Sequence, residues 1–157
     1  MLLFVAVYAS AQKKTIILVR HAEKDASANV DPNDPGLSPE GRTRAQNLAK
    51  RIKGYRVGAV YSTNYRRTRE SVGPAAARRK KEVKTYDPKD QQALVNEIMN
   101  SKTKRFLVVG HSNTIPPLAN LLVKKELFKN LEEEEFGTIW VIKLRNRKPP
   151  EVKILSY

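Results

Sequence analysis

The sequence predicts an α/β protein, a three-layer α/β/α sandwich with a mainly parallel central sheet and an antiparallel edge. Three observations carry this expectation. Short apolar runs, "TIILV" from Thr15 and "FLVV" from Phe106, have the composition of strands buried on both faces. Segments with apolar residues at helical spacing alternate with such runs, the order that builds a parallel sheet covered by helices on both sides. The final segment, "TIWVIKLRNRKPPEVKILSY", gives two β runs either side of a Pro- and Arg-rich turn, which predicts an antiparallel hairpin at one side of the sheet.

The elements follow in order. Thr15 to Val19 is the first strand, and a polar loop dense in turn formers, "DASANVDPNDPG", comes after it beside His21. Ser38 is a good N-cap with Pro39 at the first helical position, and Leu48, Ala49 and Ile52 recur at helical spacing until Gly54. The exposed face of this helix is basic. "VGAVYS" reads as the second strand and Tyr65 to Ala77 as the second helix, which Gly73 and Pro74 are expected to break or kink. Glu82 to Tyr86 is a short strand, Asp90 caps a helix running to Met99, and "RFLVVG" is a strong buried strand ending just before His111. Pro116 and Pro117 open another helix.

At 157 residues the chain is long enough for one domain and too short for two. Residues 1–11 are an apolar stretch ending in Ala9, Ser10 and Ala11, the pattern of a secretory signal with its small-residue cleavage site, although no Lys or Arg precedes the apolar run. Cleavage after Ala11 is the expectation, leaving residues 12–157 as a single periplasmic or secreted domain. A first strand or a tail is the alternative, and the chain is then cytoplasmic. The stretch is too short to span a bilayer, so stable membrane insertion is not expected.

Composition narrows the chemistry. With no cysteine, disulfides, thiolate nucleophiles and cysteine-ligated zinc are excluded, and two histidines alone make a dedicated metal site unexpected; no cofactor is implied. A formal net charge of +14 sets up a field that attracts anions, whether phosphate esters, nucleic acid or acidic lipid.

Three strands finish on residues suited to phosphate. Arg20 and His21 follow the first, "STNYRRTRES" the second and "GHSNT" the "RFLVV" strand, and in a parallel sheet ligands gather beyond these C-terminal ends. Singly, each histidine reads as a hydrogen-bonded structural residue and Arg67 as a solvated helix residue; together they point to one anion site.

These residues resemble the histidine phosphatase superfamily, also called phosphoglycerate mutase-like. "LVRHAEK" is similar to its Arg-His signature, "LSPEGRTRAQNLA" to its first-helix segment, "VYSTNYRRTRES" to its second-arginine segment and "VVGHSNT" to its second-histidine segment, in the family's order from about Thr15 to about Leu122. The resemblance implies that His21 is the nucleophile that becomes a phosphohistidine, that Arg20 holds phosphoryl oxygens and that His111 supports the same pocket. The family spacing from Thr63 points to Arg67 as the second arginine, with Arg66 and Arg69 as neighbours. Two forked guanidiniums and an imidazole suit a phosphoryl group whose charge spreads over its equatorial oxygens, and lysine does not reproduce the fork. His21 must be neutral at the attacking nitrogen, with a backbone carbonyl expected to accept from the other. Ser112 and Asn113, at the start of the helix after His111, are candidate phosphate contacts.

A leaving alkoxide needs a proton, and Asp87, at the end of its strand, is the first choice of donor with Glu23 second. Both also have bland readings, Asp87 as a turn residue before Pro88 and Glu23 as a surface charge. The run Glu132 to Glu135 reads as a solvated charge cluster and is assigned no chemistry. Ala22 and Ser27 stand where many members carry glycine and asparagine, which weakens a mutase reading. The short stretch from Ala77 to Gln91 leaves little room for a capping insertion, so an open site is expected.

The function expected is thus a metal-independent phosphomonoesterase acting on a phosphorylated small molecule. A phosphohistidine-protein phosphatase is the runner-up. A third reading is a basic module binding nucleic acid or another polyanion through "RRTRESVGPAAARRKKEVK", yet no recognised nucleic-acid motif surrounds that stretch and aromatics are only 7% of the chain, few for base stacking. A catalytically dead member of the fold is a fourth. Oligomeric state is not legible.

Overall fold

The computed structural model describes residues 13–157, so the expected leader at residues 1–11 lies outside the described residues. Six strands form one sheet: β1 (Lys14–Arg20), β2 (Ala59–Ser62), β3 (Val83–Thr85), β4 (Arg105–Gly110), β5 (Thr138–Arg145) and β6 (Lys148–Ser156). The helices are α1 (Pro39–Arg51), α2 (Arg66–Arg78), α3 (Gln91–Asn100) and α4 (Ile115–Val123). Strand order is β3-β2-β4-β1-β5-β6, with β1 to β4 mutually parallel and the β5–β6 hairpin closing one side in antiparallel fashion. This is the three-layer α/β/α arrangement the sequence predicts. No helix among the described residues is long and apolar enough to cross a membrane.

The uninterrupted apolar runs are explained by burial on both faces. Ile16 and Leu18 of β1, with Phe106 and Val108 of β4, pack under α3 and α4, whereas Ile17, Val19, Leu107 and Val109 pack under α1 and α2. All eight are fully buried, and each such side chain stabilises the fold by roughly 1.5–3 kcal/mol relative to exposure. At the start of β1, buried Lys14 donates from Nζ to the carbonyls of Ser101 and Thr103, which ties down the turn that feeds β4.

Ser38 caps α1 as expected, accepting from the Gly41 amide at 3.1 Å with Pro39 in the first turn. Gly41 permits a close approach, since a Cβ there would lie 2.2 Å from the Glu23 carbonyl oxygen. Asp90 caps α3 through the Ala93 amide at 3.0 Å.

Two expectations are corrected. Of the break or kink expected at Gly73 and Pro74, the break does not occur, and α2 continues to Arg78. Pro74 removes its own N–H bond, Gly73 has no Cβ to clash with the ring, and burial of Val72, Ala75 and Ala76 holds the helix on the sheet. In the terminal hairpin the prolines are not in the turn: Asn146 and Arg147 make it, with Arg147 at φ 59°, while Pro149 and Pro150 lie in the edge strand β6, where missing donors cost least.

Candidate active site

β1 and β4 are neighbours in parallel register, with Arg20 opposite Gly110, and the His21 amide extends the ladder by donating to the Gly110 carbonyl at 2.9 Å. Both histidines therefore leave the sheet side by side, their ring centroids 5.3 Å apart and edge to face. Close packing fixes this end of β4: a Cβ on Gly110 would lie 2.7 Å from Thr114 Oγ1 and 2.9 Å from the Tyr86 hydroxyl.

The His21 ring is buried, and its Nδ1 donates to the Ala22 carbonyl at 2.7 Å. This sets the tautomer and leaves Nε2 with its lone pair. Burial foremost, opposed by that hydrogen bond and reinforced by the charges of His111, Arg67 and Arg20, pushes its pKa down to about 3. His111 is held at about 4 by burial first and then by Arg67 and Arg20. Both rings are thus neutral near pH 7 in the free protein.

A hydroxyl chain orients His111. Thr68 Oγ1 donates to the backbone carbonyl of Thr63 or Tyr65, at 3.0 and 2.9 Å, which leaves it free to accept from Thr63 Oγ1 at 3.1 Å. Thr63 Oγ1 in turn accepts from His111 Nε2 at 2.9 Å. Both threonines are fully buried at the junction of β2 and α2. Tyr65 packs edge-on to His111 at 5.2 Å and carries the Arg67 guanidinium over its ring at 4.4 Å.

Arg20 is 5% exposed, and its guanidinium is divided between two tasks. Nη1 donates to the carbonyls of Glu132 and Glu135, both at 2.9 Å, while the plane stacks on Phe136 at 4.1 Å. Nε is buried without a protein partner among the described residues. The Nε–Nη2 edge, the side of a guanidinium that forks onto two oxygens, is left for an anion. An unpartnered buried donor of this kind costs stability unless a ligand satisfies it.

These groups line one open cavity of about 530 Å³, shared by Arg20, His21, Arg67, His111, Ser112 and Asn113. The amides of Ser112 and Asn113 have no partner among the described residues. Arg66 is exposed, and Arg69 is turned to Asn64. Ser71 braces the site, accepting from the Ala22 amide at 2.8 Å and donating to the Arg67 carbonyl at 2.7 Å.

The two proposed acids are not in the cavity. Asp87 is exposed and accepts from the Lys89 amide at 2.8 Å, so its carboxylate closes its own turn and Pro88 and Lys89 face the site instead. Glu23 is bound by Arg44, whose Nε donates at 2.8 Å and Nη2 at 2.6 Å. Burial pushes the Glu23 pKa up, but Arg44 outweighs it and the net shift is down, which keeps this carboxyl ionised and unable to donate.

Sequence reasoning missed the segment before β5. The side chains of the acidic run are exposed, as expected of a solvated cluster, but its backbone clamps Arg20, and Glu133 and Phe136 line the cavity. Buried Asn120 delivers this segment by accepting from the amides of Leu127 and Phe128, both at 2.9 Å, and donating to the Phe128 carbonyl at 2.8 Å. The aromatic at 136 beside a strand start was the available signal. Lys24, Lys89 and Tyr65 complete the missed lining.

Comparison with known proteins agrees with this fold. Residues 16–88 match the family model described as histidine phosphatase superfamily (branch 1). No curated protein matches the chain in sequence. Among solved structures, the fold is similar to the protein histidine phosphatase SixA complexed with tungstate (14% identity, 90% of this chain and 96% of that one, TM-score 0.71). It is similar also to a mycobacterial glucosyl-3-phosphoglycerate phosphatase (14%, 91% and 98%, TM-score 0.72). A third is a phosphoserine phosphatase from Entamoeba histolytica in complex with 3-phosphoglyceric acid (17%, 92% and 98%, TM-score 0.68).

Proposed function

We propose that the chain belongs to the histidine phosphatase superfamily, whose family model matches residues 16–88, and that it is a phosphomonoesterase that works through a phosphohistidine on His21, with no metal required. The observation that carries this reading is the pairing of a neutral His21, its Nε2 free, with the unpartnered Nε–Nη2 edge of Arg20 beside it.

The geometry performs the reaction in two displacements. Arg20, Arg67 and the Ser112 and Asn113 amides hold the phosphoryl oxygens, so that negative charge on the equatorial oxygens meets fixed donors. His21 Nε2 attacks phosphorus, the P–O bond to the alcohol breaks, and the Nδ1 proton, held on the Ala22 carbonyl, supports the cation that forms on the ring. Water then cleaves the P–N bond and releases phosphate. His111, anchored by Thr63, stands against His21 and gains a favourable partner once the dianion is bound.

The test is hydrolysis of p-nitrophenyl phosphate with EDTA present, comparing wild type with His21→Ala. Turnover that survives EDTA and vanishes in the variant supports the reading; turnover that requires added metal, or persists without His21, overturns it. We also propose export, supported by the apolar run and the Ala-Ser-Ala sequence of residues 1–11. A mature protein beginning at Gln12 supports that proposal, and one beginning at Met1 refutes it.

A further inference from the structure

Resting on that phosphoesterase reading, we propose that Glu133 donates the proton to the leaving oxygen, and that the site is accordingly built for phosphate monoesters of aliphatic alcohols. Attack by His21 expels an alkoxide, a poor leaving group that requires an acid at its oxygen. Among the residues lining the cavity, Glu133 supplies the carboxyl group. The two other carboxylates near the strand ends are committed elsewhere, Asp87 to the Lys89 amide and Glu23 to Arg44.

Glu133 is presented by a built turn. The carbonyls on either side of it, Glu132 and Glu135, are held by Arg20 Nη1, and Phe136 stacks on the same guanidinium. The Glu132 amide donates to Glu135 Oε2 at 2.7 Å, and the Leu131 amide to the Ser112 carbonyl at 3.0 Å. The arginine that grips the phosphate thus also fixes the turn whose tip carries the carboxyl. Glu135 spends its carboxylate inside the turn, whereas the Glu133 side chain has no hydrogen bond or ion pair among the described residues and is exposed.

The steps balance. As the P–O bond breaks, the protonated Glu133 carboxyl gives its proton to the departing oxygen, leaving alcohol, phosphorylated His21 and a Glu133 carboxylate. That carboxylate then takes a proton from the attacking water as the P–N bond breaks, which restores the starting enzyme and releases phosphate. A nitrophenolate leaves without such help, and so does the imidazole of an N-phosphoryl compound whose other ring nitrogen is already protonated, because it then departs as a neutral ring. The donor therefore separates alkyl esters from phosphohistidine-type substrates.

The experiment compares Glu133→Gln with wild type on glycerol 2-phosphate, p-nitrophenyl phosphate and N-phosphorylhistidine. Loss of a positioned acid predicts a fall of about 100-fold or more in kcat/KM on the glycerol ester and less than about threefold on the other two. Glu134→Gln, which removes the same charge from a neighbour outside the cavity lining, is expected to leave all three rates near wild type. Equal losses on all three substrates, no loss on the glycerol ester, or the same pattern in Glu134→Gln overturns the assignment. His21→Ala run in parallel keeps the two readings apart: if that variant is inactive while Glu133→Gln shows no dependence on leaving group, the donor falls and the phosphohistidine chemistry stands.

Discussion

Acidification from pH 7 to pH 5 should destabilise the folded protein through its two histidines. Burial is the leading cause that holds His21 near 3 and His111 near 4 when folded, whereas an unfolded chain carries histidines near the ordinary value of about 6.5. Between those limits the unfolded state binds protons that the folded state refuses. The stability these rings contribute is therefore full above the unfolded value and drains as pH falls toward the folded ones. At pH 5 the unfolded-state protonation is worth about 2 kcal/mol for a fully protected ring, so His21 is expected to cost close to that and half-buried His111 somewhat less. Against a typical stability of about 5–15 kcal/mol, such a loss is readily measured by urea denaturation at pH 7, 6 and 5 in phosphate-free buffer. His21→Gln should lose about half as much over the same interval. Proton NMR reads the cause directly: both imidazole Cε1 resonances should keep neutral shifts down to pH 5. A ring that titrates at pH 6 or above, or a stability unchanged across the interval, would refute the account.

Other perturbations test single contacts. Arg67→Ala should lower kcat/KM on p-nitrophenyl phosphate by about 100-fold or more, the loss typical of a fixed donor to developing charge, with Arg66→Ala close to wild type; equal losses would show that the second arginine has been misassigned. Thr63→Val leaves the Nε2 donor of His111 unsatisfied and should cost about 1–3 kcal/mol in urea denaturation together with a lower kcat. Gly110→Ala forces a methyl group against Thr114, Tyr86 and Ile115, and should cost about 1–3 kcal/mol while reducing turnover through displacement of His111.

Much of this was legible along the chain because one-dimensional patterns carried it. Ile16 to Val19 read as a strand because burial on both faces leaves no polar alternation, and Ser38 with Pro39 marked the start of α1 because capping is local. The site residues on β1, α2 and β4 were legible as strand-end clusters. What failed depended on contacts at a distance. Arg44 lies 21 residues from Glu23, and no spacing rule announces that pair. Asp87 stands at the right strand end, but its side chain turns back on its own backbone. The acidic run misled most, since charge patterning describes side chains and the groups that hold Arg20 are peptide carbonyls.

That last feature has an evolutionary corollary. A guanidinium oriented by main-chain oxygens is indifferent to the side chains beside them, so Glu132 and Glu134 can change freely while the phosphate grip stays aimed, provided Glu135 still holds the bend through the amide at 132. Leaving-group preference can then diverge among descendants of this chain by substitution at position 133 alone, without disturbing the nucleophile.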